Sequence, residues 1–193
     1  MKKFVLAQIL LLCSQASFAA KAQTFKLDAK ASKATWEGRK LAGAHQGTLQ
    51  FRQGSLHLEG GKLAGGEVVI DMTSLKNTDQ EGDMNAKLVN HLKSDDFFSV
   101  EKHPTSTLKI TKVEQTGEKA TVNGELTIKG VTKPISFPAE IKVEGKRLSA
   151  KGEMKVDRTL YGIKFRSLKF FSDIGDKVIN DEFTVGFDIT ASK

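Results

Sequence analysis

From Thr24 to the end of the chain, apolar residues return at every second position, and this alternation sets most of what the chain can fold into. A period of two marks strands with one face buried and one in water. In "HQGTLQF" Leu49 and Phe51 share one face, with Thr48, Gln50 and Arg52 on the other; in "GEVVIDM" Val68, Ile70 and Met72 fall together. The pattern continues at Leu108 and Ile110, at Val122, Leu126 and Ile128, and through Ile135, Phe137, Ala139, Ile141 and Val143. It returns at Leu148, Ala150, Met154 and Val156 and ends on Phe183, Val185, Phe187 and Ile189. Gly60-Gly61, Gly65-Gly66, Lys129-Gly130, Glu144-Gly145 and Ile174-Gly175-Asp176 punctuate the runs. The spacing predicts an all-β antiparallel meander. Its apolar face must be covered, either by closing the sheet into a barrel or by stacking two sheets. Gly124, Ala139, Ala150 and Gly152 share that face with large side chains, which leaves room for a cavity or relieves crowding. Pro134 and Pro138 lie inside one run and predict a bulge, a break or an edge, because proline donates nothing to a ladder.

One segment departs from the alternation. "DMNAKLVNHLKSDD" sets Met84, Leu88 and Leu92 at helical spacing, with Asp83 as N-cap or first-turn acid and Lys93 near the C-terminal end. This predicts one short helix over about Asp83–Leu92. Asp95 and Asp96 then end the helix in water, and Phe97 and Phe98 are expected to re-enter the sheet. Because strand neighbours face opposite ways, at least one is expected to point into the barrel and the other to pack beneath the helix.

The first residues follow another logic. Lys2 and Lys3 precede the apolar run Phe4–Leu12, and "CSQASFAA" supplies small residues for cleavage. This reads as a secretory leader over residues 1–19, its end uncertain up to 22, followed by one domain over 24–192. The apolar run is too short to span a bilayer. Periplasmic or secreted localisation follows, with no stable membrane span after cleavage. The single cysteine, Cys13, would leave with the leader, so the mature protein has no disulfide or thiolate chemistry. Lys2 and Lys3 would leave as well, and the remaining lysines and arginines still modestly outnumber the 23 aspartates and glutamates. Acids and bases are interspersed, without the basic stripe that a nucleic-acid partner needs.

Catalytic and metal motifs find little support. No GxSxG, P-loop or dinucleotide fingerprint occurs. "NTDQEGDMNAKL" begins like a calcium loop, but its twelfth place holds Leu88 instead of a glutamate. The four histidines are dispersed and show no ligand spacing. The reading is a binding protein, not an enzyme, with no catalytic residue, no metal and no cofactor. "DRTLYGIKFRSLKFF" is more informative: Tyr161, Phe165, Phe170 and Phe171 mix with Arg158, Lys164, Arg166 and Lys169. Aromatic rings beside cations suit an amphiphile with an apolar tail and an anionic head, or equally a strand-end cluster with snorkelling cations.

Three stretches carry a resemblance to a known family: "HLKSDDFFSVEKHPTSTLKI", "VNGELTIKGVTKPISF" and "YGIKFRSLKFFSDIGDKVINDEFTV". In this order and spacing the chain resembles the YceI-like family of exported lipid- or polyisoprenoid-binding proteins over about Thr24–Ser192. The resemblance implies an extended, eight-stranded, antiparallel, lipocalin-like barrel with one short inserted helix. It also implies an apolar pocket for an isoprenoid quinone, a polyprenyl phosphate or a fatty acyl lipid. The departure is at Ser167-Leu168, where related sequences often carry small residues; Leu168 is expected to narrow the local space. On this reading the tail lies among Trp36, Leu49, Ile70, Leu88, Leu92, Phe97, Phe98, Leu108, Leu126, Phe137 and Phe170. His45, His91, Arg158, Tyr161 and Arg166 are the head-group candidates. The alternative is a filled barrel acting as an envelope stress or protein-interaction factor with no lipid ligand.

Overall fold

The computed structural model describes residues 22–41 and 43–193. The expected leader lies outside the described residues.

Nine strands form one continuous antiparallel sheet: β1 (Gln23–Leu27), β2 (Lys33–Lys40), β3 (Gly43–Glu59), β4 (Lys62–Asn77), β5 (Thr105–Thr116), β6 (Lys119–Ile128), β7 (Val131–Glu144), β8 (Arg147–Asp157) and β9 (Ile179–Ser192). Strands β2 to β9 close an eight-stranded barrel, with β2 paired to β3 on one side and to β9 on the other. Strand β1 lies outside this ring. It pairs with the far ends of the same two neighbours, Gln23–Lys26 against Ser55–Leu58 and Lys26-Leu27 against Ala191-Ser192. An Asp28 turn separates β1 from β2: its carboxylate accepts from the Lys30 and Ala31 amides, and the Ser32 hydroxyl donates to the Asp28 carbonyl at 2.7 Å.

Closure follows from the alternation. Inward residues of every strand meet across the interior, and a closed ring leaves no edge to protect. At one end sit the β3–β4, β5–β6 and β7–β8 hairpins. There Phe25, Leu58, Leu148 and Ala191 are essentially inaccessible and form a solid floor. The opposite end carries the β2–β3 hairpin, the helix α1 (Gly82–Lys93), the following turns and the long connection from β8 to β9.

The helix begins and ends one residue beyond the expected span. Glu81 stands at its N-cap without a side-chain cap bond, and Asp83 sits in the first turn. None of its residues is fully buried; Val89 and Leu92 lean on the small cluster of Met72, Leu75 and Val100. The expected strand entry at Phe97 and Phe98 is overturned, although both rings do face the barrel interior. They lie in a hydrogen-bonded turn: the Phe97 amide donates to the Ser94 carbonyl and the Phe98 amide to the Leu92 carbonyl, each at 3.1 Å. Strand alternation therefore does not apply to them, and the sheet resumes only at Thr105.

Strand β7 pairs from Val131 to Glu140 with the whole of β6 without a register shift, even at Pro134 and Pro138. Its pairing with β8 starts only at Ala139. The two prolines share one parity, so both missing donors face the β8 side, where the strand is locally a free edge. Of the small inward residues, Gly124 and Gly152 do not enlarge the interior. A Cβ at Gly124 would sit 2.6 Å from the Lys109 carbonyl, and one at Gly152 would sit 2.9 Å from the Phe187 ring. Here glycine permits close approach and an aromatic cover.

Candidate functional site

The helical end of the barrel encloses an apolar cavity of about 170 Å³. Strand β2 contributes Trp36, Gly38, Arg39 and Lys40, β3 contributes His45 and Leu49, and β4 contributes Ile70, Met72 and Leu75. Leu88 and Leu92 of α1, with Phe97 and Phe98 from the turn behind it, form the roof. The far wall comes from Ser106, Leu126, Ile128, Met154 and Val156, and from Phe183 and Val185 of β9. Arg158, Ile163, Ile179 and Asn180 close it beneath the β8–β9 connection. A second apolar cavity of about 90 Å³ lies deeper, among Phe51, Leu56, Leu63, Leu108, Phe137, Ala139, Ala150 and Phe187. The two share Ile70, Ser106, Leu126, Met154 and Val185 as a common waist. Each far exceeds the roughly 10–15 Å³ in which a single water is held, and a site this apolar gives water few partners.

Three of the polar side chains on these walls, Ser106, Trp36 and Arg158, are spent inside the protein. Ser106 donates to the Thr127 carbonyl at 2.6 Å. The Trp36 indole donates to the Lys76 carbonyl at 3.0 Å. Arg158, 3% exposed, is consumed entirely: Nε donates to the Asn180 carbonyl, Nη1 to the Ile163 and Phe165 carbonyls, and Nη2 to the Ile179 carbonyl and the Asp181 carboxylate. All five guanidinium donors are thus engaged. Desolvation lowers its pKa from the ordinary arginine value, against the opposing pull of Asp181 and Asp157.

At the rim, His45 Nδ1 lies 2.8 Å from Asp79 Oδ2, and Asp79 also accepts from the Gln46 amide and the Asn77 side chain. Desolvation pushes the Asp79 carboxyl up, but these hydrogen bonds outweigh it and hold it below the ordinary carboxylate value. Asn85 of the helix donates to Asn77 and to the Gln80 carbonyl, tying the start of α1 to the end of β4.

The sequence candidates divide by position. Trp36, His45, Leu49, Ile70, Leu88, Leu92, Phe97, Phe98, Leu126 and Arg158 line the upper cavity, while Leu108 and Phe137 line the lower one. His91, Tyr161, Arg166 and Phe170 are outside both linings. His91 meets the Phe97 and Phe165 rings edge-on at 5.0 and 4.6 Å and faces Asp96 at 3.2 Å. Tyr161 is buried in the core; burial, and secondarily Asp157, raises its phenol pKa. Arg166 lies over the outer face of Phe165, and Phe170 is exposed under Lys164. Leu168 points to solvent, so the expected narrowing does not occur. Sequence reasoning left out Met154, Val156, Phe183 and Val185, although their alternation marks them as inward-facing. It also left out Lys40 and Ile179, for which no local pattern gives a signal.

A closed, roofed β-barrel around two adjoining apolar cavities defines a lipocalin-like class of architecture. The chain belongs to the YceI-like family, whose domain model matches residues 25–191. A UPF0312 protein of Photorhabdus laumondii is 37% identical over 57% of this chain and 54% of its own length. Another from Pseudomonas aeruginosa is 39% identical over 36% of each chain. The chain thus spans about half or less of the length of these curated relatives. Among solved structures, Burkholderia cenocepacia BcnA superposes with a TM-score of 0.70 at 18% identity, covering 86% of this chain and 99% of that one. A polyisoprenoid binding domain from Saccharophagus degradans, implicated in plant cell wall breakdown, gives 0.61 at 18%, covering 87% and 97%. These two likenesses establish the shared fold.

Proposed function

We propose that this protein is exported and sequesters or carries an amphiphilic apolar molecule in its barrel. The observation that carries the reading is the pair of adjoining apolar cavities, in which Ser106, Trp36 and Arg158 already have protein partners. Such an interior rewards hydrocarbon and offers a polar ligand group little in return. Each methylene withdrawn from water contributes about 0.8 kcal/mol before the cost of ordering the ligand. An isoprenoid quinone, a polyprenyl phosphate or a fatty acyl lipid fits this requirement. The tail lies along the waist from the upper to the lower cavity, and the head remains at the rim near Lys40, Arg39 and His45. The polyisoprenoid binding named for the Saccharophagus domain agrees with this chemistry. No step of bond making or breaking is needed.

The test is organic extraction of the purified protein followed by mass spectrometry, with uptake of added prenyl quinones and fatty acids by the extracted protein. A stoichiometric lipid, or saturable uptake, is expected. A protein that is empty and takes up neither would overturn the carrier reading in favour of a filled barrel that works through protein contacts.

A further inference from the structure

The large apolar side chains that the described residues leave in water are not spread evenly over the molecule. Leu41, Met84, Leu160, Leu168, Phe170 and Phe171 are 45–72% exposed. All six lie on the segments that close the helical end: the β2–β3 hairpin, α1, the Arg158–Tyr161 turn and the connection to β9. The hairpins at the floor expose none. Scattered single exposures need no explanation, but apolar side chains gathered at the mouth of an apolar cavity do.

The part within 158–171 is built, not loose. Ser167 is fully buried; its carbonyl accepts from the Phe170 and Phe171 amides, and its hydroxyl accepts from the Lys169 amide. Arg158 holds both stems of the connection, through Ile163 and Phe165 on one side and Ile179 and Asn180 on the other. Leu168, Phe170 and Phe171 are presented outward from this frame. Residues 158–171 contain four cations and no acid. Arg158 is buried and Lys169, though exposed, is engaged by Asp157, so among the described residues Lys164 and Arg166 are the surface cations of this stretch that no carboxylate pairs, each over an aromatic ring at 4.7 and 5.1 Å. The loop's acids, Asp173 and Asp176, come only after the aromatic pair. Aromatic and aliphatic side chains among basic ones match the boundary between acyl chains and anionic head groups.

We propose that this face docks the barrel mouth on an anionic lipid bilayer. The proposal rests on the carrier reading and adds to it the surface from which cargo enters. A tail passing from bilayer to cavity at such a contact is never surrounded by water.

The test uses the mature protein and vesicles of phosphatidylglycerol with phosphatidylethanolamine, compared with phosphatidylcholine vesicles, in a flotation assay. Two double variants are compared with wild type: Phe170→Ser with Phe171→Ser, and Lys164→Glu with Arg166→Glu. Uptake of a short-chain prenyl quinone added from ethanol, without vesicles, is measured in parallel. The expected result is binding to anionic vesicles that is at least tenfold tighter than to neutral ones and weakens with salt. Both variants should lose at least tenfold while taking up quinone as wild type does. If the aromatic pair proves necessary for folding, Leu168→Ser serves in its place. Wild type that ignores anionic vesicles at low salt, or variants that bind them unchanged, would overturn the docking face. Vesicle binding by a protein that takes up no quinone would support the face and remove the carrier reading beneath it.

Discussion

The guanidinium of Arg158 holds the Phe165 carbonyl at 2.8 Å. The same group holds carbonyls on the returning stem at Ile179 and Asn180. A side chain that the sequence offers as a head-group ligand is thus a clasp for the roof. Arg158→Met keeps much of the volume but leaves buried carbonyls unpaired. Removing one partner of a buried charged network costs about 3–5 kcal/mol. Denaturant unfolding should show a loss of this size, and limited proteolysis should cut between Lys164 and Lys177 in the variant first. If the variant instead stays stable and loses affinity only for acidic ligands, Arg158 acts on the ligand after all.

Phe97 and Phe98 should separate in their energetics. Phe97 is buried in the main cluster between His91 and Phe165, so Phe97→Ala should cost about 3–5 kcal/mol. Phe98 is only partly buried, over the cavity and against the Phe183 ring at 6.0 Å. Phe98→Ala should cost about 2 kcal/mol or less and should weaken uptake of a long-tailed ligand more than it weakens the fold. Unfolding of the empty protein beside a binding titration distinguishes the two. Equal stability losses with unchanged uptake at both positions would make the two rings core residues alike.

Much of the barrel was legible because alternation is a local signal: Val68-Ile70-Met72 and Phe183-Val185-Phe187 read inward from sequence and do face inward. The Phe97-Phe98 turn was not legible. A turn and a strand entry both follow a helix end, and only the amide bonds back to Ser94 and Leu92 decide between them. The role of Arg158 was hidden for a similar reason. Four of its five partners are backbone carbonyls, up to 22 residues away, and backbone carbonyls leave no trace in composition. Strand β1 was inside the alternating region, yet nothing local says that it continues the seam left by β2 instead of joining the ring.

Asp157 should give the fold an acid limb. Desolvation raises its pKa, but Lys169 at 2.6 Å and the Thr159 amide and hydroxyl outweigh that and hold it below the ordinary aspartate value. A carboxyl depressed in the folded state contributes stability that is full above the unfolded pKa, about 3.9, and is lost as pH falls through the lower folded value. The loss therefore belongs below about pH 4. Denaturation midpoints from pH 7 down to pH 3 should fall less steeply for Asp157→Asn than for wild type, with the variant already weaker at pH 7. Parallel acid limbs would show that Asp157 makes no net contribution.

Trp36 is the single tryptophan, and it stands on the wall of the upper cavity with its indole committed to the Lys76 carbonyl. Gly47, paired opposite it on β3, makes this possible. A Cβ there would collide with the Lys76 carbonyl and approach Trp36 Nε1 to 2.6 Å. That carbonyl would lie closer still, so the backbone must part locally and the bond from the indole is lost with it. Gly47→Val should cost about 1–3 kcal/mol in overpacking, with about 0.5–1.5 kcal/mol more for the lost hydrogen bond. Its fluorescence should shift to the red as the ring turns toward water. In wild type the same ring should report loading directly: a prenyl quinone entering the upper cavity should quench Trp36 with saturation at one equivalent. The variant should show weaker, incomplete quenching. Loading seen by mass spectrometry with no change in wild-type emission would place the ligand away from Trp36, in the lower cavity or on the outer surface.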